Sequence, residues 1–179
     1  MTTINTTSNA PRIWLGCLNC YNNGRLVGAW YDAVDLYNDE DLGTTEDVHK
    51  QGGHPAEEYC EEIWGLDHEG MPVSGEMGLG DAKEWGELYE ELDDDDNWPV
   101  FCAWVQNGNT PSVSEFEDHY EGQWDDFRSY VEDLEGSGDL FNDWPELAVR
   151  YFDWDSYVND AQHDFSILEA PQGVWIFSH

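Results

Sequence analysis

Hydrophobic and polar residues follow a strand-like pattern near the start of the chain and a helical one further along. Residues 12–18 and 26–32 are two short runs rich in β-formers, separated by Asn-Asn-Gly at 22–24. Asn-Gly between two such runs is typical of a tight hairpin, so these runs predict a pair of antiparallel strands. Alternation over 58–66 predicts a third strand, and 34–50 predicts a short helix.

A change of pattern follows this first region. Residues 67–80 contain a proline and several glycines, which is typical of a linker. From Asp81 the pattern is helical, with Trp85, Leu88 and Leu92 on a narrow apolar stripe and acidic residues at other positions. A block of four aspartates ends this helix. The segment WPVFCAWVQ, with proline in its first turn, predicts a second and more apolar helix.

The central stretch, 112–136, carries a helical stripe beside an almost purely anionic set of positions. Its apolar residues recur at steps of four and three, and they are Phe116, Tyr120, Trp124, Phe127, Val131 and Leu134. Gly122 interrupts the stripe, so the stretch predicts either one kinked helix or two consecutive helices. Taken alone, its acidic side is also compatible with the solvated surface of an ordinary amphipathic helix.

The last part of the chain mixes both patterns. After a break at 136–138, residues 145–151 and 154–161 predict short helices, and 165–168 and 174–177 predict a closing hairpin. The whole chain is therefore predicted to have an α+β fold.

This fold is predicted to consist of three small domains behind a polar, mobile tail at residues 1–10. An N-terminal α+β domain with a β-hairpin spans 11–70, a helical middle domain spans 71–111, and a mixed α+β domain spans 112–179.

Composition adds a strong charge to this picture. The 179 residues include 40 Asp and Glu but only 6 Lys and Arg, which gives a formal net charge of -34. Charged residues nevertheless total 26%, close to the usual value of about 25%, so acids have replaced bases. With 10 Trp, 9 Tyr and 7 Phe, the chain has ample material for a core and is expected to fold.

A field of one sign restricts the partners. It repels nucleic acid and membrane surfaces, so direct binding to either is not expected, whereas basic grooves are attracted. Self-repulsion also favours an elongated arrangement of the domains. Because the sequence contains neither a run of about 18 apolar residues nor a recognisable signal peptide, we expect a cytoplasmic protein.

The cysteines and the aspartate block raise the question of metal binding. Cys17 and Cys20 form a single C-x2-C pair, and His49, His54 and Cys60 are the residues that would complete a site. In a strand, the side chains of Cys17 and Cys20 would point to opposite faces, which argues against a shared metal site. The interpretation is therefore reduced thiols, with no metal and no cofactor. The aspartate block does not fit an EF-hand, which requires glycine at the sixth and glutamate at the twelfth position of its loop.

Three segments resemble the ArdA-type antirestriction proteins in their order and approximate spacing. They are WLGCLNCYNNGRLVGAWYDA, FEDHYEGQWDDF and YFDWDSYVNDAQHDFSILEAPQGVWIF, and the resemblance extends from about Ile13 to Phe177. The sequence differs from the family pattern in its longer tail, its Cys17/Cys20 pair and its many tryptophans.

The resemblance implies an inhibitor rather than an enzyme. Proteins of that family, associated with mobile genetic elements, are elongated homodimers that imitate bent B-form DNA. They occupy the DNA-binding groove in the methyltransferase core of Type I restriction-modification enzymes. The family's antirestriction motif corresponds here to Phe116, Glu117, Asp118, Tyr120, Gly122, Trp124 and Asp125.

The candidate site is therefore a set of carboxylates that take the place of DNA phosphates, with no catalytic residue. The predicted phosphate-mimicking residues are Asp81, Glu84, Glu87, Glu90, Glu91, Asp93, Asp94, Asp95, Asp96, Glu115, Glu117, Asp118, Glu121, Asp125, Asp126, Glu132, Asp133 and Glu135. Their scaffold is predicted to be Phe116, Tyr120, Gly122, Trp124 and Phe127. Duplex DNA carries one negative charge per about 1.7 Å of helix axis. On this scale the net charge of the protein corresponds to about 17 base pairs per chain and about 34 per dimer.

Two further classes of protein would also have such a composition. A carbohydrate-active enzyme or lectin would use paired carboxylates and aromatic side chains, but no nucleophile-base order, phosphate-binding glycine loop or HExxH motif accompanies them. A protein adapted to high salt would have an acidic surface without any partner. Such adaptation does not explain three family-like segments.

Overall fold

The computed structural model of the chain describes residues 10–137 and 140–179, which form two compact units divided between Val113 and Ser114. The predicted tail, 1–10, lies outside the described residues apart from Ala10, and so does Gly138 of the predicted break. The fold is mixed α and β, as the sequence pattern predicts. Unit 1 denotes the described residues up to Val113, and unit 2 those from Ser114.

Unit 1 contains a three-stranded antiparallel sheet with the order β2-β1-β3. Its strands are β1 (Arg12–Cys17), β2 (Gly28–Asp32) and β3 (Ile63–Glu69). Ile13 and Leu15 of the central strand are fully buried, so the alternation in the sequence does mark a core face. The predicted pairing of the first two strands is confirmed.

The connection between β1 and β2 differs from the predicted tight hairpin. Because Gly16 pairs with Gly28, it is long enough to contain a short helix, α1 (Leu18–Asn22). The side chain of Cys20 is buried in this helix. In a strand that continued past Cys17, it would point to the face opposite to that of Cys17.

The segment predicted as one helix at 34–50 contains two. They are α2 (Ala33–Asn38) and α3 (Thr45–Gln51), and the Thr44 side chain caps α3 by accepting from the Asp47 amide at 3.3 Å. The third strand begins later than predicted and runs into the predicted linker. That linker is also tied to β3, because Gly65 and Met77 exchange two backbone hydrogen bonds.

Helices α4 (Leu79–Leu92) and α5 (Trp98–Gln106) complete unit 1. Helix α4 packs so closely on α2 that a Cβ on Gly86 would lie 2.1 Å from the Ala33 carbonyl oxygen. The Trp98 indole donates to the Gly70 carbonyl at 2.7 Å, which ties α5 to the end of β3. The residues predicted to form separate N-terminal and middle domains thus lie in one unit, and the three-domain arrangement is not confirmed.

Unit 2 contains a second antiparallel sheet, with the order β4-β6-β5. Its described residues also form four α-helices, the first of which begins at the unit boundary, and one short 3-10 helix, Gln162–Asp164. The elements are α6 (Val113–His119), β4 (Tyr120–Trp124), α7 (Phe127–Ser137), α8 (Glu146–Arg150), α9 (Trp154–Ala161), β5 (Phe165–Glu169) and β6 (Val174–Ser178). The predicted helix at 154–161 and the closing hairpin are both confirmed.

The prediction of a kinked or double helix for the central stretch is wrong, because a strand, β4, separates α6 from α7. Tyr120 pairs with Phe177 and Trp124 with Val174, so β4 is bonded to β6. The error has a geometric cause. A step of four residues is one helical turn and also two strand periods, so Phe116, Tyr120 and Trp124 fit either pattern.

The core of unit 2 forms between α7 and the sheet. Its buried members are Phe127, Tyr130, Val131 and Ile176, and partly buried side chains from β4, α9 and β5 pack against them. Among the described residues, no helix has both the length and the apolar character needed to cross a membrane.

Candidate functional site: the acidic surface

The 18 predicted carboxylates fall into two groups, one in each unit. We call those from Asp81 to Asp96 the α4 group and those from Glu115 to Glu135 the unit 2 group. Seventeen of the 18 are exposed, and only Glu135 is half-buried. The structure therefore places nearly all of them where a partner can reach them.

The α4 group projects from the side of the helix that does not pack. Ala82, Trp85 and Gly86 are buried, whereas the glutamates of the group are exposed, namely Glu84, Glu87, Glu90 and Glu91. At the start of the helix, the Asp81 carboxylate accepts from the Gly78 amide at 3.0 Å, a favourable position for negative charge.

Two side chains of α2 orient further members of the α4 group. The Tyr37 hydroxyl donates to Glu87, and the Asn38 amide donates to Glu90, each at 3.2 Å. Both donors are neutral. They fix the carboxylates without removing charge.

The four aspartates after α4 form an ordered turn. Asp93 has a left-handed backbone, with φ of 47°, and ends the helix. Asp94 accepts from the amides of Asp96 at 3.0 Å and Asn97 at 3.3 Å. Tyr89 donates to Asp95 at 2.6 Å, and burial together with this bond raises the pKa of Tyr89 to about 12.

In the unit 2 group, α6 holds its acids above a buried aromatic cluster. Phe116 is only 2% exposed, and its ring stacks on Tyr120 with centroids 5.1 Å apart. Phe177 contacts both rings, at 6.1 Å and 5.4 Å. The acidic residues on either side of Phe116 remain exposed.

Strand β4 and its neighbours carry the middle of the motif. Gly122 has φ of 104°, a backbone conformation that favours glycine, and the Trp124 indole donates to the Glu121 carbonyl at 3.1 Å. The Glu121 carboxylate lies close enough to the Tyr130 hydroxyl to affect its ionisation. Burial, with the charge of Glu121 adding to it, raises the pKa of Tyr130 to about 12.

Helix α7 begins with a capping aspartate and then meets the one cation of the central stretch. Asp126 accepts from the Ser129 amide at 2.7 Å and its hydroxyl at 2.8 Å, and these bonds lower the pKa of Asp126. Arg128 pairs with Glu132 at 2.7 Å and with Asp155 at 2.5 Å. The half-buried Glu135 accepts from the Tyr157 hydroxyl.

The structure adds acidic residues that the sequence reasoning missed. Because α2 packs on α4, the exposed carboxylates of α2 and the loop after it lie beside the α4 group. These are Asp35, Asp39, Glu40 and Asp41. Their density in the sequence was the available signal, but the packing of α2 on α4 could not be read from it.

The chain was compared with known protein families and with curated proteins. A search of curated proteins finds no match, whereas the family model described as antirestriction protein (ArdA) matches residues 13–175. This match covers nearly the whole chain and includes residues of both units. The chain therefore belongs to the ArdA family of antirestriction proteins.

Proposed function

We propose that this protein inhibits Type I restriction-modification enzymes by presenting a carboxylate surface that occupies the DNA-binding groove of the methyltransferase core. The observation that carries the proposal is how the acids are held. In the α4 group the donors are hydroxyls, amides and backbone N–H groups, all of them neutral. Such bonds set positions while the full charge remains.

The ion pairs support the same conclusion. Among the described residues four ion pairs form, and none of them involves a carboxylate between Asp81 and Asp96. Lys83, on α4 itself, forms no ion pair with any acid in the described part of the chain. A surface selected for stability alone would be expected to pair such a lysine with its glutamate neighbours.

A groove that binds DNA through phosphate contacts is matched by this kind of surface. Phosphate contacts position a protein on DNA without reading sequence, so carboxylates in similar positions should bind regardless of the enzyme's target sequence. We further propose that two chains act together as a homodimer, whose charge corresponds to about 34 base pairs. The role of the protein is then inhibition, without catalysis.

A competition experiment tests the proposal. The Type I methyltransferase core is bound to a labelled target duplex, and the protein is titrated in at several salt concentrations. We expect the duplex to be displaced, more weakly as salt rises, because the basic groove exchanges its counterions. Displacement should be equal for enzymes of different target sequence. A protein that leaves the duplex bound at all salt concentrations contradicts the proposal.

The same competition separates an inhibitor from the two further classes of protein that the composition allows. An enzyme or lectin acting on carbohydrate would not displace the duplex. An acidic protein adapted only to high salt would not do so either. Plating unmodified phage on cells with a Type I system, with and without the protein, then shows whether displacement protects incoming DNA.

A further inference from the structure

Unit 1 brings together three thiols and one imidazole that are far apart in sequence. The side chains are those of Cys17, Cys20, His49 and Cys60, all four are buried, and their potential ligand atoms lie within 4.8 Å of one another. They come from the end of β1, from α1, from α3 and from the segment before β3. The cluster is therefore a product of tertiary structure.

The sulfur spacing fits a metal better than it fits a disulfide. Sγ of Cys20 and Sγ of Cys60 are 3.8 Å apart, and all four cysteines are free thiols. A disulfide requires about 2.05 Å. Two thiolates at about 2.3 Å from a tetrahedral zinc ion stand about 3.8 Å apart, which is the observed spacing.

The imidazole is held in the orientation that a metal ligand requires. His49 Nδ1 donates to the His54 carbonyl oxygen at 2.9 Å, which leaves the lone pair on Nε2. This Nε2 is buried and has no hydrogen-bond partner among the described residues. A histidine ligand typically donates its other N–H to a backbone carbonyl in this way, so Nε2 is the nitrogen available to a metal.

Further contacts separate the ligands from their neighbours. The Asn19 side-chain amide donates to Cys60 Sγ at 3.7 Å, as expected beside a sulfur that carries negative charge. His54 is no ligand, because its Nδ1 contacts the Pro55 carbonyl and its Nε2 contacts Arg25 at 3.3 Å. It contributes its backbone oxygen to the orientation of His49.

Simple packing explains these observations less well. Cysteine behaves as a small apolar residue, and the three thiols do contact Val27 and Ile63. A buried imidazole with an unsatisfied Nε2, however, is unfavourable in an apolar cluster. The expectation of thiols without a metal rested on the opposite parity of Cys17 and Cys20 in one strand. That argument fails because Cys20 lies in α1.

We propose that Cys17, Cys20, His49 and Cys60 bind one zinc ion as a closed Cys3His site that stabilises unit 1. Four protein ligands leave no open position for water, so the site is structural. Binding of Zn²⁺ to three thiols and a neutral imidazole releases three protons and leaves the site with one negative charge. The ion joins β1 to three other segments of the unit.

Metal analysis of the full chain, purified without chelators, tests this directly. We expect about one zinc per chain, and replacement by Co²⁺ should give the intense visible bands and the thiolate charge-transfer bands of tetrahedral coordination. Zinc removal should lower the melting temperature, and added zinc should restore it. Folded protein that contains no zinc and gives no such cobalt spectrum overturns the proposal, as does a Cys20-Cys60 disulfide in protein isolated under reducing conditions.

Matched variants locate the site. Cys60→Ser and His49→Gln should lose most of the zinc, whereas Cys102→Ser and His54→Gln, which alter a cysteine and a histidine outside the cluster, should retain about one ion per chain. Equal zinc content in all four variants would overturn the assignment. If a ligand variant does not fold, the cobalt spectrum of the unaltered protein still decides the matter. Displacement of DNA is measured separately, so failure of the zinc site is distinguishable from failure of the proposed inhibition.

Discussion

The α4 group and the unit 2 group hold their carboxylates in different ways. On α4, neutral donors such as Tyr37 and Asn38 orient the acids, and no ion pair among the described residues reduces their charge. In unit 2, Arg128 bridges Glu132 and Asp155, so geometry is fixed at the expense of net charge. Carboxylates can thus be ordered by neutral donors or by a cation. Only the neutral donors leave the full negative charge of the carboxylates in place.

The two groups also differ in their support. The α4 group lies on one long helix and on the turn that follows it, and Gly86 of this helix packs closely against α2. The unit 2 group lies on two helices and a strand, and it depends on aromatic packing between α6, β4 and β6. Unit 2 should therefore be more sensitive to loss of a single ring.

The largest expected effect is the loss of such a ring. Phe116→Ala should lower the free energy of unfolding by about 3–5 kcal/mol, because a buried phenyl ring that contacts Tyr120 and Phe177 is replaced by a cavity. Denaturant unfolding followed by near-ultraviolet circular dichroism measures this. The control is Tyr151→Ala, at a side chain 77% exposed, which should change stability by less than about 0.5 kcal/mol. Similar values for both variants would contradict the assigned packing.

The next largest effect is expected from neutralising several carboxylates of one group at once. Neutralising four members of the α4 group together should weaken displacement of DNA by about 1–4 kcal/mol, at about 0.2–1 kcal/mol for each exposed carboxylate. The substitutions are Glu84→Gln, Glu87→Gln, Glu90→Gln and Glu91→Gln. A matched set in unit 2 is Glu117→Gln, Asp118→Asn, Asp125→Asn and Asp133→Asn. We expect this set to have the smaller effect on displacement, because Arg128 already offsets negative charge in unit 2.

Both sets are scored by competition and by circular dichroism. Each single substitution should leave displacement nearly intact if, as proposed, the affinity is spread over many contacts. One folded single variant that abolishes displacement, while its neighbours are silent, would instead indicate a localised site of the kind that an enzyme has.

The helix contact beneath the α4 group offers the next test. Gly86→Ala should destabilise unit 1 by about 1–3 kcal/mol, because the new Cβ would overlap the Ala33 carbonyl and force α4 away from α2. Gly80→Ala in the same helix meets no atom within 4 Å, so it should stabilise the protein by about 0.5–1 kcal/mol through helix propensity. Thermal unfolding of the pair measures the difference, and equal melting temperatures would refute the close contact.

Much of the fold was predictable from short-range patterns. The α4 helix, the helix at 154–161 and the closing hairpin each carry a periodicity that only one structure satisfies. Strand β4 was missed because its step of four residues fits helix and strand equally. Its partner, β6, decides in favour of the strand, and that partner lies about 50 residues away.

What the sequence did not predict depends on long-range contacts. The Cys17, Cys20, His49 and Cys60 cluster assembles from four segments, and the short helix that turns Cys20 inward has no strong signal of its own. The merging of two predicted domains into unit 1 likewise depends on the fit of Gly86 against Ala33. The exposure of the acidic residues, by contrast, follows directly from their charge.

Arg128 is the cation that reduces the net charge of unit 2 beside its acidic group. Arg128→Gln should slightly lower the melting temperature, because two ion pairs on the surface of unit 2 are lost. It should also improve displacement of DNA, because the carboxylates of unit 2 are then no longer offset by a paired cation. The α4 group is already in this state. The control, Arg150→Gln, alters a cation without an ion pair among the described residues. Weaker displacement by folded Arg128→Gln would show that geometry matters more than net charge in unit 2.

The smallest expected effect is the pH dependence contributed by Asp126. Its folded pKa lies below the ordinary value because the Ser129 amide and hydroxyl donate to the carboxylate. A depressed folded pKa means that the stabilisation is present above the unfolded pKa of about 3.9 and is lost as pH falls through the folded value.

Asp126→Asn keeps a capping side chain but removes the titration. The melting temperature of the unaltered protein should therefore exceed that of the variant slightly at pH 7, and the difference should vanish in acid. Asp125→Asn, at the exposed neighbour that does not cap α7, provides the matched control. A difference between Asp126→Asn and the unaltered protein that stayed constant from neutral to acid pH would show that the cap does not act through its charge.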